Sequence, residues 1–301
     1  MWLFFTFLFA FFLAIVNYID EYLTANNAVL SSADIHTKAG GLIIVSTLFT
    51  VFGALVAWFF ADKVFIASFP LLLALLSGVP MVALWAGYFY LLNIYPVYQV
   101  IPLFQMSSIW LLIIELLAGG SITLVALTGV LILIVGAYLL DAGTLKWQVP
   151  TTLLLLMIPV SLCWTITLFL IKLASNAGAG TVAITFWQFV GIATVGVTLF
   201  IAVRKYRRGF LFRVRHQGKN FLGFSLLNEG SGQAGYYSGN VAVSLAPLAT
   251  YFSALGGLQS ILLLVIFYFF PQKPLTINAL QVVAIFMIAV GIFFLEGWKY
   301  V

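Results

Sequence analysis

The feature that most constrains this sequence is a series of apolar runs, each long enough to cross a bilayer. A spanning helix needs about 20 apolar residues, and stretches such as Leu153–Ile158 and Ile261–Phe270 are apolar on every side of a helix. A membrane barrel strand would instead alternate polar and apolar residues. Because 64% of the 301 residues are hydrophobic and only 7% are charged, a water-soluble fold would lack a polar exterior. The sequence predicts an all-α, multi-pass membrane protein.

Polar breaks divide the chain into ten apolar segments joined mostly by short connections. The first, Trp2–Leu23, lacks the basic start and the short apolar core of a signal peptide, so we expect it to be a span. The longer connections are Asn26–Gly40 and the basic stretch Arg204–Lys219. The ten predicted spans are 2–23, 40–60, 66–92, 98–118, 123–141, 150–173, 182–203, 219–244, 247–270 and 277–297.

Short sequences recur in the same order, and at nearly the same offset, in the two halves of the chain. The pairs are Leu23–Asn26 with Leu173–Asn176, Ala86–Tyr88 with Ala234–Tyr236, and Val135–Asp141 with Val290–Glu296. They predict two copies of a five-helix unit, residues 1–144 and 145–301. Since five is odd, the second copy enters the membrane from the opposite side. Such inverted repeats are typical of secondary transporters, whose substrate site lies near the midplane between the repeats.

Several short motifs resemble one family of membrane carriers. They are Val100–Gln105, Leu245–Ala249, the glycine-containing ends of both units, Asn17–Leu23, Asn228–Glu229 and Phe269–Pro271. Together they resemble the EamA-type branch of the drug/metabolite transporter superfamily. The resemblance implies two inverted five-helix repeats, ten transmembrane helices in all, that carry a small metabolite across the cytoplasmic membrane, without naming the substrate.

Polar side chains inside the predicted spans are the candidates for a substrate site, because an ionisable group in the bilayer is costly and defaults to a functional hypothesis. Glu229 is the deepest. With Gln233, Tyr236 and Asn240 it lies at helical spacing on one face of a glycine-rich segment. Glu229 could bind and release a proton, or pair with the amine of a cationic or zwitterionic substrate. The alternative is a neutral carboxyl hydrogen-bonded between packed helices.

Two further spans carry candidate binding residues. Gln105 and Glu115 lie on one face of the fourth segment, although Glu115, near its end, could simply reach water. Asn17 and Asp20 share a face at the polar end of the first segment, where they form either part of a vestibule or an ordinary solvated helix end.

The basic stretch Arg204–Lys219 carries seven of the 13 basic residues and no acidic one. We interpret it as a loop at the membrane surface that could contact anionic lipid headgroups, not as a nucleic-acid site. The family resemblance places both termini in the cytoplasm and this stretch outside. The positive-inside rule favours the reverse orientation.

The sequence argues against an enzyme that uses a metal or a cofactor. Both histidines, His36 and His216, fall in predicted connections, Cys163 is the single cysteine, and the common metalloprotease, hydrolase and phosphate-binding motifs are absent. We therefore predict no catalytic residue, no metal site and no cofactor. The alternative that remains open is a membrane-embedded enzyme that uses carboxylates alone, or a lipid-handling, flippase-like protein.

Overall fold

The structure, a computed structural model, describes residues 1–25, 34–60, 68–142, 150–270 and 279–297. These residues are helical and contain no strand. The helices are α1 Trp2–Ala25, α2 Ile35–Phe59, α3 Phe69–Leu92, α4 Val97–Val100, α5 Met106–Leu117, α6 Leu124–Ala142, α7 Thr151–Asn176, α8 Thr181–Ala202, α9 Arg204–Leu245, α10 Ala249–Ala254, α11 Gly257–Phe269 and α12 Ala279–Gly297; a 3₁₀ helix, Ile101–Gln105, joins α4 to α5. The predicted boundary between residues 144 and 145 lies outside the described residues.

The length and apolarity of these helices confirm a multi-pass membrane protein. Within the described residues, six helical segments are long and apolar enough to cross a bilayer: Trp2–Thr24, Ile35–Phe59, Phe69–Leu92, Thr151–Asn176, Thr181–Ala202 and Ala249–Phe269. Three shorter apolar helices, Ile101–Leu117, Leu124–Ala137 and Ala279–Leu295, coincide with the fourth, fifth and tenth predicted spans. Large aromatic side chains such as Phe59, Phe269 and Phe293 are exposed on the outer surface, as expected where lipid is the solvent.

The packing of the helices brings the two halves of the chain together. Helix α1 lies against α9, α3 against α7 and α8, α2 against α8 and α9, and α6 against α12. The largest buried cluster joins α1, α2, α3 and the α4 region to α7, α8, α9 and α11, with Ile43, Trp85 and Phe189 among its members. The core is therefore built between the halves, which positions a shared cavity there.

The predicted surface loop at Arg204–Lys219 was wrong, because these residues form the first part of α9. Arginine and lysine are good helix formers, and this part packs on the start of α2, where Gly209 lies so close to the Thr37 carbonyl that a Cβ would overlap it. The two parts of α9 meet at Gly218, whose φ of 52° and ψ of −134° interrupt the helix. Glycine permits this backbone conformation because it has no Cβ.

One basic side chain of this segment is buried. Arg213 has no exposed surface, donates from Nη2 to the Lys38 carbonyl at 3.2 Å, and lies 5.8 Å from the centre of the Phe221 ring. Burial lowers the pKa of its guanidinium to about 10, which still leaves it charged at neutral pH. Arg213 thus anchors the basic segment to α2, while Arg204, Lys205, Arg208 and Arg215 stay exposed.

Candidate functional site

A cavity of about 90 Å³ lies between the two halves of the protein. Its walls come from α1, α2, α3, the 3₁₀ helix, α5 and α7, and from α9, α10 and α11. The residues with polar side-chain atoms that line it are Asn17, Asp20, Ser46, Trp85, Tyr88, Gln105, Ser107, Trp164, Asn228, Glu229, Tyr236, Ser253 and Gln259. Five of the eight predicted site residues are therefore brought together in one cavity: Asn17, Asp20, Gln105, Glu229 and Tyr236.

The acidic end of the cavity contains two carboxyl groups, one from each half. Asp20, near the end of α1, is 1% exposed, and Glu229, in the second part of α9, is 8% exposed. The Asn228 side-chain amide donates to Asp20 Oδ1 at 2.9 Å. Ser46 of α2 donates to Glu229 Oε1 at 2.6 Å. These hydrogen bonds hold the two carboxyl groups in place at the same end of the cavity.

Aromatic side chains complete the acidic end. The Tyr88 hydroxyl donates to Asn17 Oδ1 at 2.9 Å, and the Trp85 indole N–H donates to the Tyr236 hydroxyl at 3.0 Å. Since the Tyr236 oxygen accepts a bond from the indole, its own proton can be donated to a ligand. Aromatic rings can bind a cation over their faces, and three of them, Trp85, Tyr88 and Tyr236, line this end.

The opposite end of the cavity is apolar with a few hydroxyl groups. The Phe9 ring packs on Trp164 at 6.0 Å and on Phe252 at 4.8 Å between ring centres. Beside them, Ser107 and Ser253 share a hydrogen bond of 2.9 Å. Because α1 rises about 1.5 Å per residue, the eleven residues from Phe9 to Asp20 separate the two ends by about 16 Å. The cavity is therefore elongated and chemically asymmetric.

Two residues of the predicted polar face of α9 point away from the cavity. Gln233 donates to the Phe49 carbonyl of α2 at 2.7 Å, and Asn240 donates to Thr185 and Gln188 of α8 at 3.0 and 2.8 Å. At about 100° per residue, Tyr236 is turned about 20° from Glu229 in one direction, and Gln233 and Asn240 are turned about 40° and 20° in the other. With this small difference in angle, Gln233 and Asn240 contact α2 and α8 and Tyr236 lines the cavity.

Glu115 caps a helix and does not line the cavity. Its carboxylate, 6% exposed, accepts from the backbone N–H groups of Ala249 and Thr250 at 2.7 and 3.1 Å and from the Thr250 hydroxyl at 2.5 Å. These groups form the start of α10, where a negative charge is favourable. On the other side of the same junction, Lys172 donates to the carbonyls that end α9, those of Val243 and Ala246. The two charged side chains fix the break between α9 and α10.

Ser46 and Asn228 line the cavity but were not predicted as site residues. Asn228 had one signal, its position beside Glu229, and Ser46 is one of several hydroxyl residues in an otherwise apolar span. Within the described residues there is no group of three or more His, Cys, Asp or Glu side chains that could hold a metal ion.

The comparisons with known proteins give a fold and no family. No protein-family model matches the sequence, and no curated protein matches it significantly. Among solved structures, the chain is similar to one crystal structure described only as that of a protein, with a TM-score of 0.62 at 12% sequence identity, over 97% of this chain and 96% of that chain. At this identity the likeness extends to the fold alone.

Proposed function

We propose that the protein is a secondary transporter that moves a small metabolite across the cytoplasmic membrane by alternating access. The observation that carries the proposal is the elongated cavity between the two halves, lined by buried polar residues of helices that are otherwise apolar. Polar and ionisable groups in such a place are costly and mark substrate or ion pathways. Sites of this kind in secondary transporters lie between structural repeats.

The proposed architecture is ten spans in two inverted five-helix repeats of the drug/metabolite transporter type. The helix pairing supports it. If α1, α2 and α3 correspond to α7, α8 and α9, then the contact of α1 with α9 corresponds to that of α7 with α3. In the same way, the contact of α2 with α9 corresponds to that of α8 with α3, and α6 meets its counterpart α12. Exchange of conformation between two such halves would open the cavity to one side and then to the other.

The coupling ion in this proposal is the proton. Asp20 and Glu229 are the ionisable groups that could accept it inside the cavity, and both are held by neutral hydrogen-bond donors. A carboxyl group that binds a proton in one conformation and the substrate in the other would link the two movements. No cofactor is required for such a cycle.

The basic first part of α9 supports a proposed contact with lipid. Arg204, Lys205, Arg208 and Arg215 are exposed at the end of a membrane-embedded helix. Clusters of this kind bind anionic headgroups, with about 1 kcal/mol for each basic residue near the surface.

The proposal is tested by flux into sealed vesicles. Purified protein is reconstituted into liposomes loaded with a defined mixture of amines, amino acids, sugars and nucleotides, and the efflux of each compound is measured by mass spectrometry against protein-free liposomes. We expect faster efflux of one chemical class and a slower rate for Glu229→Gln. Equal efflux with and without the protein, combined with chemical conversion of a compound in detergent, would favour the enzyme alternative instead.

A further inference from the structure

The cavity contains two acidic groups without a basic counterpart. Asp20 and Glu229 line its acidic end, while no Lys, Arg or His is among the described residues that form its walls. A buried charge is strongly unfavourable unless it is paired. Since no basic side chain among the described residues of the walls balances two carboxylates here, the balancing charge would come from protons or from a cationic ligand.

Unpaired amide atoms in the cavity wall favour a ligand with its own polar groups over the binding of protons alone. Asn228 Oδ1, Gln105 Oε1 and Asn17 Nδ2 have no hydrogen-bond partner within the part of the chain that the structure describes, and each of these side chains is at least nine-tenths buried in the cavity wall. Buried polar atoms are nearly always hydrogen-bonded. For Asn228 the orientation is fixed, because its NH₂ group faces the Asp20 carboxyl, and its oxygen is left as an acceptor.

The balance of donors and acceptors selects a class of ligand. The acceptors on offer are the two carboxylates and the oxygens of Asn228 and Gln105. The donors include the Asn17 Nδ2 group and the Tyr236 hydroxyl, and both are neutral, so the groups among the described lining residues that can be charged at neutral pH are all carboxyls. A matching ligand is positively charged and carries several N–H groups. The aromatic walls at Trp85 favour a cation over their ring faces, and the apolar end, about 16 Å along α1, favours an apolar body.

We propose that the cavity binds a small organic amine, with its ammonium group between Asp20 and Glu229 and its apolar part directed toward Phe9 and Phe252. This inference names the substrate class of the transport site and rests on the proposed function for the movement of the amine, although not for its binding. A volume of about 90 Å³ is below the roughly 300–1,000 Å³ of pockets for drug-sized ligands, which limits the amine to a small one.

The test uses three probes that share one body and differ in the head group: 2-phenylethylamine, 2-phenylethanol and phenylacetate. Their affinities for the full-length, detergent-purified protein are measured by calorimetry at constant pH. We expect the amine to bind at least tenfold more tightly than the alcohol, and phenylacetate not to bind. In Glu229→Gln and Asp20→Asn, the affinity for the amine should fall at least tenfold, which corresponds to 1.4 kcal/mol.

A matched control is Asp34→Asn, which removes an exposed carboxylate at the start of α2, outside the cavity, and should bind the amine as the wild type does. Equal affinity for amine and alcohol in the wild type would overturn the inference without reference to any variant, so a poorly folded mutant cannot decide the result. An unchanged affinity in both cavity variants would overturn it too. If the amine binds as expected but does not cross the membrane of proteoliposomes, the proposed transport function is wrong and the amine site stands. If the proteoliposomes transport another class of compound and the amine does not bind, the amine site is wrong and the transport function stands.

Discussion

The sequence predicts Glu115 as a binding residue, whereas in the structure it caps the start of α10. Substitution of Glu115 tests which role it has. In Glu115→Ala, the backbone N–H groups of Ala249 and Thr250 and the Thr250 hydroxyl would all lose their acceptor. Hydrogen bonds to a charged group contribute about 1.5–3 kcal/mol each, and an orphaned buried donor costs about 1–3 kcal/mol. Because the three bonds act as one unit and do not add, we expect a loss of about 3–5 kcal/mol in the free energy of unfolding.

A graded series separates capping from a role in binding. Glu115→Gln keeps one acceptor oxygen and should lose about 1–3 kcal/mol, while Thr250→Val removes only the hydroxyl bond and should lose about 1 kcal/mol. Stability is measured by denaturant titration in detergent micelles, and amine affinity by calorimetry on the same samples. The capping role predicts reduced stability with amine affinity retained in Glu115→Gln. Wild-type stability together with lost affinity would refute the reasoning and return Glu115 to the binding site.

Three further predictions concern packing, orientation and charge. A Cβ at Gly191 would overlap the backbone of α3, so Gly191→Ala should lose about 1–3 kcal/mol of stability. Gly223 has open space around it, so Gly223→Ala should gain up to about 1 kcal/mol. Equal changes of stability in the two variants would contradict the packing of α8 on α3. The positive-inside rule places the basic stretch in the cytoplasm. In a Cys163→Ser background, Arg208→Cys should then react with an impermeant maleimide only after the cells are opened. Labelling in intact cells would place this stretch outside and support cytoplasmic termini. The backbone hydrogen bond at the start of α2 and a neighbouring lysine lower the pKa of Asp34 below its ordinary 3.8. The stabilisation from Asp34 is therefore present above pH 3.8 and is lost as the pH falls through the lowered pKa. The melting temperatures of wild type and Asp34→Ala should converge in acid, and a difference that does not depend on pH would contradict this.

The long apolar helices could be predicted from the sequence because hydropathy alone determines them. The predicted span 150–173 is helix Thr151–Asn176, and 182–203 is Thr181–Ala202. The interruptions inside apolar segments could not be predicted. The 3₁₀ turn at Ile101–Gln105 and the break between α10 and α11 change hydrogen bonding without changing hydropathy. The basic start of α9 was misassigned for a related reason, since charge indicates the membrane surface but does not distinguish a loop from a helix.

The candidate site was predictable only to the level of residue type. Acidic and amide side chains inside apolar spans identified Asn17, Asp20 and Glu229, which the fold brings to one cavity. The same signal selected Glu115, because a carboxylate that caps a buried helix end and one that lines a cavity are equally unusual in an apolar run. Only the packing of α5 on α10 distinguishes them. Likewise, the small rotation that turns Gln233 toward α2 depends on which helices surround α9.

The measurement that tests alternating access most directly is the accessibility of the cavity from each side of the membrane. Met81, 1% exposed, lines the cavity near the middle of α3, so Met81→Cys in the Cys163→Ser background places one thiol close to the midplane. In sealed proteoliposomes, a small impermeant methanethiosulfonate is added to the outside only or enclosed on the inside only. The transporter account predicts modification from both sides. Modification from one side alone, or from neither, would contradict it.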